Sequence, residues 1–208
     1  NTAIAFKDSF EMGVDVLDSD MHMTSDGILV LAHDETIDRV SDGTGAIRDM
    51  TYEELKKYDF GYDFTTDSGA TYPYRGQGVR IMTLDDLYSA YPSSIFGIEI
   101  KQTTVEAADK LCELTKKYGY EDKLLVSAFA QENMDRFREL CPTVATSATE
   151  GETKTFFIYH TIGLAGFHRG SFDSVQVPEY SGKTHVLTTR FIRDSQAKGY
   201  AVIPWTIN

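Results

Sequence analysis

Gly13-Val14-Asp15-Val16-Leu17-Asp18-Ser19-Asp20-Met21-His22-Met23-Thr24-Ser25-Asp26-Gly27-Ile28-Leu29-Val30-Leu31-Ala32-His33 is the stretch on which the fold turns. Residues 14–20 read as a strand, Thr24 to Gly27 as a turn, and residues 28–32 as a returning strand. A turn that short joins antiparallel strands, so this is a hairpin. Asp18 and Asp20 are two apart on the first arm, and both side chains leave the same face. Pairing about the turn sets residues whose numbers sum to roughly 51–53 opposite one another. That lays His33 across from the stretch Asp18 to Asp20. The spacing recurs in Gly97-Ile98-Glu99-Ile100-Lys101, where Glu99 and Lys101 share one face at a strand end.

Outward from the hairpin the chain alternates strand and helix. Residues 3–12 carry Phe6 and Phe10 at helical spacing and stop at Gly13. Residues 35–80, rich in Gly, Asp, Thr and Tyr, read as an insertion with one helical stretch at 52–58. Thr83 opens a helix with Asp86 in the capping-box position, and Thr103 with Glu106 reads as a second capping box. Strands at 95–100, 124–127, 144–148, 174–177 and 201–205 alternate with helices that include stops at Gly119 and Gly199. That is the order of a parallel β/α fold. The expected architecture is α/β, a TIM-type (β/α)8 barrel in a single domain over 1–208, with 35–80 inserted after the second strand. Six barrel strands are legible where eight close the fold, so a strand is expected before Asn1 and a helix with a closing strand after Asn208.

The formal net charge is −12. Such a surface repels nucleic-acid phosphates and anionic lipid headgroups, which excludes nucleic acid as a broad partner. No apolar run approaches the ~20 residues of a membrane span. The stretch carries no signal peptide, and the compartment reading leans only weakly to the cytoplasm. Cys112 and Cys141 lack CxxC spacing and read as buried free thiols. The sequence leaves the oligomeric state open.

Carboxylates gathered on one face at the carboxyl ends of barrel strands sit where such barrels place catalysis, and they need a cation between them. Their hard oxygens suit Mg²⁺ or Ca²⁺. An imidazole beside them is a general acid or base near neutral pH, and a lysine there meets a phosphate oxygen.

Together these segments resemble the glycerophosphodiester phosphodiesterase family. The stretches that carry the likeness are 13–20, Thr24 to Gly27, His33-Asp34-Glu35 with Asp38-Arg39, and Asp42 to Gly45. Further on they are Tyr72 to Gly76 with Ile81 to Leu84, Ile98 to Lys101, Ser127 with Phe129, Gln176 to Glu179, and Trp205 to Asn208. The ordered set covers essentially the whole chain.

The resemblance implies hydrolysis of glycerophosphodiesters to glycerol 3-phosphate and an alcohol. It implies one divalent cation, Mg²⁺ or Ca²⁺, on Asp18, Asp20 and Glu99, with His33 and Lys101 catalytic. Phe129, Glu179 and Trp205 become substrate-binding candidates, and a small-molecule glycerophosphodiester the expected ligand. Two departures stand out: Asp18 replaces the family's usual Glu, and the family's first histidine, in a His-Arg-Gly motif, falls before Asn1. His168-Arg169-Gly170 repeats that motif ahead of the 174–177 strand, at the wrong end of the barrel for catalysis. His22 and Asp34 read as exposed bystanders. The alternatives are a lysophospholipase D-like hydrolase on the same barrel and a silent barrel that binds phosphodiesters.

Overall fold

The computed structural model describes residues 1–206. Ile207 and Asn208, the end of the Trp205 to Asn208 stretch, lie outside the described residues. The strands are β1 (Val16–Met23), β2 (Leu29–Leu31), β3 (Ile95–Ile100), β4 (Leu124–Ala128), β5 (Ala145–Thr146), β6 (Ser174–Val177), β7 (Tyr180–Ser181), β8 (Thr184–His185) and β9 (Ala201–Pro204). The helices are α1 (Ala3–Glu11), α2 (Tyr52–Leu55), α3 (Leu84–Ala90), α4 (Glu106–Tyr118), α5 (Gln131–Leu140), α6 (Glu150–Thr161) and α7 (Thr189–Ala197).

The hairpin forms as its turn dictates, with Met21 opposite Leu31, His22 opposite Val30 and Met23 opposite Leu29. β1, β3, β4 and β5 then run parallel in one sheet of order β2-β1-β3-β4-β5. β6 and β9 pair in parallel, and a parallel bridge between Ser147 and Ser174 joins the two sheets into one arc. The architecture is α/β.

Alternation along the strands decides the two faces of the arc. Leu17, Met21, Phe96, Ile98, Ile100, Leu124 and Val126 point outward and are buried with Leu87, Leu111, Met134 and Phe137 of the covering helices. Asp18, Asp20, Gly97, Glu99 and Ser127 occupy the alternate positions and face the other side. Residues 35–80 carry a 3-10 turn at Ile47–Asp49 and the short α2, packed around Ile37, Ile47, Leu55 and Phe60. No helix among the described residues is long and apolar enough to cross a membrane.

Several local expectations are corrected. The Thr103 capping box does not form: α4 begins at Glu106 after Val105, without a side-chain cap. Tertiary bonds at Gln102 set the chain direction instead. Met23 N–H donates to Gln102 Oε1 (2.6 Å), Gln102 Nε2 donates to the Met23 carbonyl (2.9 Å), and Asn133 Nδ2 donates to the Gln102 carbonyl. A capping box that the sequence reading passed over forms at Thr149 and Glu152, opening α6. The β7–β8 hairpin was also passed over, since its short polar strands lack alternation.

Cys112 and Cys141 are joined in a disulfide, not free. Spacing along the chain does not reveal that Cys112 in α4 faces the residue ending α5. Closing a loop with a sequence separation of 29 stabilises the fold by about 3–4 kcal/mol on the chain-entropy account. Thermal unfolding with and without reductant checks this: Tm falls on reduction, and a thiol titration of the denatured, unreduced chain finds no free thiol.

Candidate active site

The parallel register sets Asp18 beside Gly97 and Asp20 beside Glu99. Lys101 follows β3 directly. Its Nζ lies 3.0 Å from Asp20 Oδ1 and 2.8 Å from Glu99 Oε1. Burial alone would depress the Lys101 ammonium, but its bonds to Glu99 and Asp20 outweigh that and hold it above its usual range. Burial lifts the Glu99 carboxyl despite the lysine. Glu99 Oε1 is buried, with the Lys101 ammonium at 2.8 Å as its partner.

Asp18 keeps one flank open on the inner face of the arc, yet the surrounding strands crowd it. That crowding, with the Asp20 and Glu99 carboxylates second, pushes its carboxyl up to about 6. Gly97 makes the arrangement possible, because a Cβ added there would collide with Asp18 Oδ1. Gly97→Ala should therefore displace this carboxylate and cost activity or metal affinity about 10–100-fold, as loss of a positioning contact does. Parallel measurement of turnover and metal affinity checks it.

His33 follows β2, and its register with β1 is fixed by the Ala32 N–H bond to the Asp20 carbonyl (3.0 Å). His33 Nδ1 stands 2.7 Å from Asp34 Oδ1. Asp34 is in turn gripped by Arg39, with Nε at 2.6 Å and a terminal nitrogen at 2.9 Å. Arg39, and His33 after it, hold the Asp34 carboxyl well below the usual carboxylate range. An ionised carboxylate only accepts, so in the neutral ring Nδ1 carries the proton and Nε2 the lone pair. Asp34 is thus no exposed bystander. The signal was present in the His33-Asp34 and Asp38-Arg39 stretches, but a partner five residues on becomes visible only once the turn is folded.

His22 is also corrected. It is buried, because it lies on the covered part of the hairpin opposite Val30. Its Nε2 sits 3.4 Å from the His33 carbonyl, and burial lowers its basicity. His168 precedes β6, buried 3.4 Å from the Tyr200 hydroxyl, and is a core residue as the order of elements implied.

A cavity of about 650 Å³ opens beside Asp20 and His33. Its far wall includes Val40, Phe60, Phe64, Tyr74 and Val79 from the 35–80 segment, and Ile4 of α1. Sequence reasoning missed these wall residues, although Phe60 to Phe64 is an aromatic run in a glycine-rich segment. Phe129 follows β4, with Lys101 Nζ 5.7 Å from its ring centre. Glu179 and Trp205 follow β6 and β9 at the same end of the arc, both exposed.

The profile of the Glycerophosphoryl diester phosphodiesterase family matches residues 1–208. The chain belongs to this family. A glycerophosphodiester phosphodiesterase of Caldanaerobacter subterraneus subsp. tengcongensis is 35% identical over 147 residues, covering 68% of this chain and 57% of the relative. A human lysophospholipase D is 31% identical over 121 residues, covering 58% of this chain and 38% of that protein. The chain thus spans a little over half the length of the first curated relatives it matches. Solved structures share the fold. A glycerophosphodiester phosphodiesterase of Agrobacterium tumefaciens superposes with a TM-score of 0.78 at 20% identity, over 100% of this chain and 81% of that one. An Oleispira antarctica phosphodiesterase, solved with the product sn-glycerol-3-phosphate, gives 0.75 at 21% identity, over 100% and 79%.

Among the described residues no group of three His, Cys, Asp or Glu is drawn together tightly enough for an ion. The positive charge amid the carboxylates is Lys101. The donor set nevertheless fits a hard divalent cation: it offers carboxylate oxygens only, and one carboxyl is raised partly by its neighbours.

Proposed function

We propose that this chain carries the metal-dependent hydrolysis of glycerophosphodiesters to glycerol 3-phosphate and an alcohol. The observation that carries the reading is the meeting of Asp20, Glu99 and Lys101 at adjacent strand ends, with Asp18 beside them. It opens on a cavity that His33 also lines. Named relatives with this activity support it.

Asp18, Asp20 and Glu99 are the residues that would hold Mg²⁺ or Ca²⁺. Such a cation supplies Lewis acidity at a phosphoryl oxygen and lowers the pKa of a hydroxyl nucleophile. Lys101 offsets the charge that grows on the phosphate oxygens in the transition state. His33 Nε2 exchanges a proton with a reacting oxygen, taking it from the nucleophile or giving it to the departing alcohol. The bond broken joins phosphorus to the alcohol oxygen, and the bond formed joins phosphorus to the nucleophile. Asp34 and Arg39 orient the ring throughout. Phe129, Glu179 and Trp205 form the rim that receives the substrate.

The same reading takes the parallel arc as part of a (β/α)8 barrel in one domain over 1–208, with 35–80 inserted after its second strand. Among the described residues the parallel strands are β1, β3, β4, β5, β6 and β9, six where a closed barrel has eight, which supports an incomplete barrel.

Product analysis tests the reaction. Glycerophosphocholine should yield glycerol 3-phosphate and choline, while phosphocholine and glycerol would refute the assigned bond. The apolar cavity wall of Ile4, Val40, Phe60, Phe64 and Val79 favours a second reading, release of the headgroup from a lysophospholipid. Faster turnover of lysophosphatidylcholine than of glycerophosphocholine is its signature.

A further inference from the structure

Ile158, Ile162, Leu164 and Phe167 are 60%, 61%, 43% and 77% exposed. They lie in sequence on α6, on the turn that ends it, and on the 3-10 turn Ala165–Phe167. Phe156 and His160 of α6 face inward, and His160 Nδ1 meets Asp194 Oδ2 of α7 at 2.6 Å. Ile158 and Ile162, one turn apart, therefore ride the outer face of α6.

Cations flank this cluster. Lys154, one turn before Ile158 on α6, is already paired with Glu150 at 2.6 Å, while Arg169 follows Phe167 by two residues. An Arg190 terminal nitrogen donates to the His160 carbonyl at 3.0 Å, and Lys198 Nζ donates to the Gly166 carbonyl at 3.3 Å. These long side chains are thus held against the backbone that carries Ile162, Leu164 and Phe167. From Glu150, where α6 begins, to Tyr200 six Lys and Arg face five Asp and Glu, and from Thr153 on only three of those acids remain, in a chain whose net charge is −12. The overall charge, read as excluding anionic lipid, conceals a local reversal.

We infer that this α6 face docks on an anionic phospholipid bilayer, with the four apolar side chains entering the headgroup boundary and the flanking cations meeting lipid phosphates. Exposed aliphatic and aromatic residues with Lys and Arg beside them bind interfaces by these two terms together. Four side chains present less than the ~800 Å² per partner that a stable protein interface buries, which disfavours a second copy as the occupant. α6 runs from the carboxyl end of β5 toward the start of β6. Its last turn is therefore at the end of the arc remote from Asp20, Glu99 and Lys101, so docking leaves the catalytic mouth free.

Co-sedimentation of the full chain with vesicles tests this, comparing pure phosphatidylcholine with a phosphatidylglycerol mixture at low and high salt. Binding is expected to the anionic vesicles only, and to weaken with salt. Ile162→Ser with Phe167→Ser should lower it at least ~10-fold. Arg169→Glu with Lys198→Glu should lower it at least ~5-fold per cation removed. This second pair leaves the apolar residues in place, and circular dichroism confirms that each variant is folded. Equal binding to both vesicle types, no binding to either, or binding untouched by the charge pair would overturn the proposal. So would a concentration-dependent dimer that Ile162→Ser abolishes, since the face would then belong to a second copy.

Discussion

Replacing His33 by alanine lowers turnover of a glycerophosphodiester by ~10²–10⁴-fold, the usual loss for a positioned acid or base. The fall should be in kcat more than in KM, because in the proposed mechanism the ring exchanges a proton and does not anchor the phosphate. The ring is held by Asp34, which is held by Arg39. Asp34→Ala should give a smaller loss, since the imidazole remains but its tautomer and orientation are no longer fixed. Steady-state rates for the two variants settle the order of effects. A His33 variant with wild-type kcat would remove this residue from the chemistry.

Glu99→Ala and Asp20→Ala should each lower activity by ~10³-fold or more, because the Lewis acid they would hold under the proposed mechanism is worth several kcal/mol of barrier. Stability should move the other way from activity. Asp20 and Glu99 share one ammonium, and the Asp18 carboxylate stands close enough to be raised by theirs. Removing one of these charges relieves repulsion in the protein free of metal, so Glu99→Gln should keep or raise Tm while abolishing turnover. Stability traded against function is expected where a site gathers like charges for its chemistry. Scanning calorimetry beside a rate assay checks both halves. A variant that is both unstable and inactive would mark Glu99 as structural.

Much of this was legible because strands write their faces into alternate residues. The hairpin turn fixed the register that sets His33 across from Asp18 to Asp20, and the pairs found at 21–31, 22–30 and 23–29 follow the same rule. Asp18 with Asp20, and Glu99 with Lys101, needed only a period of two to share a face. Gly119 ends α4 in a left-handed conformation, as its position foretold. What stayed hidden depends on contacts distant in sequence. Nothing near Thr103 announces that Gln102 will bond the backbone of Met23. The Cys112–Cys141 bond requires knowing that α4 packs on α5. The burial of His22 and the apolar wall from Phe60 to Val79 both depend on how the 35–80 segment folds back over the hairpin.

The most direct test of the account strips divalent metal from the folded chain with a chelator and titrates Mg²⁺ or Ca²⁺ back while glycerol 3-phosphate release is followed. The account predicts no turnover in the stripped protein, recovery that saturates at one ion per chain, and no recovery in Asp20→Ala. Full turnover in excess chelator would contradict it.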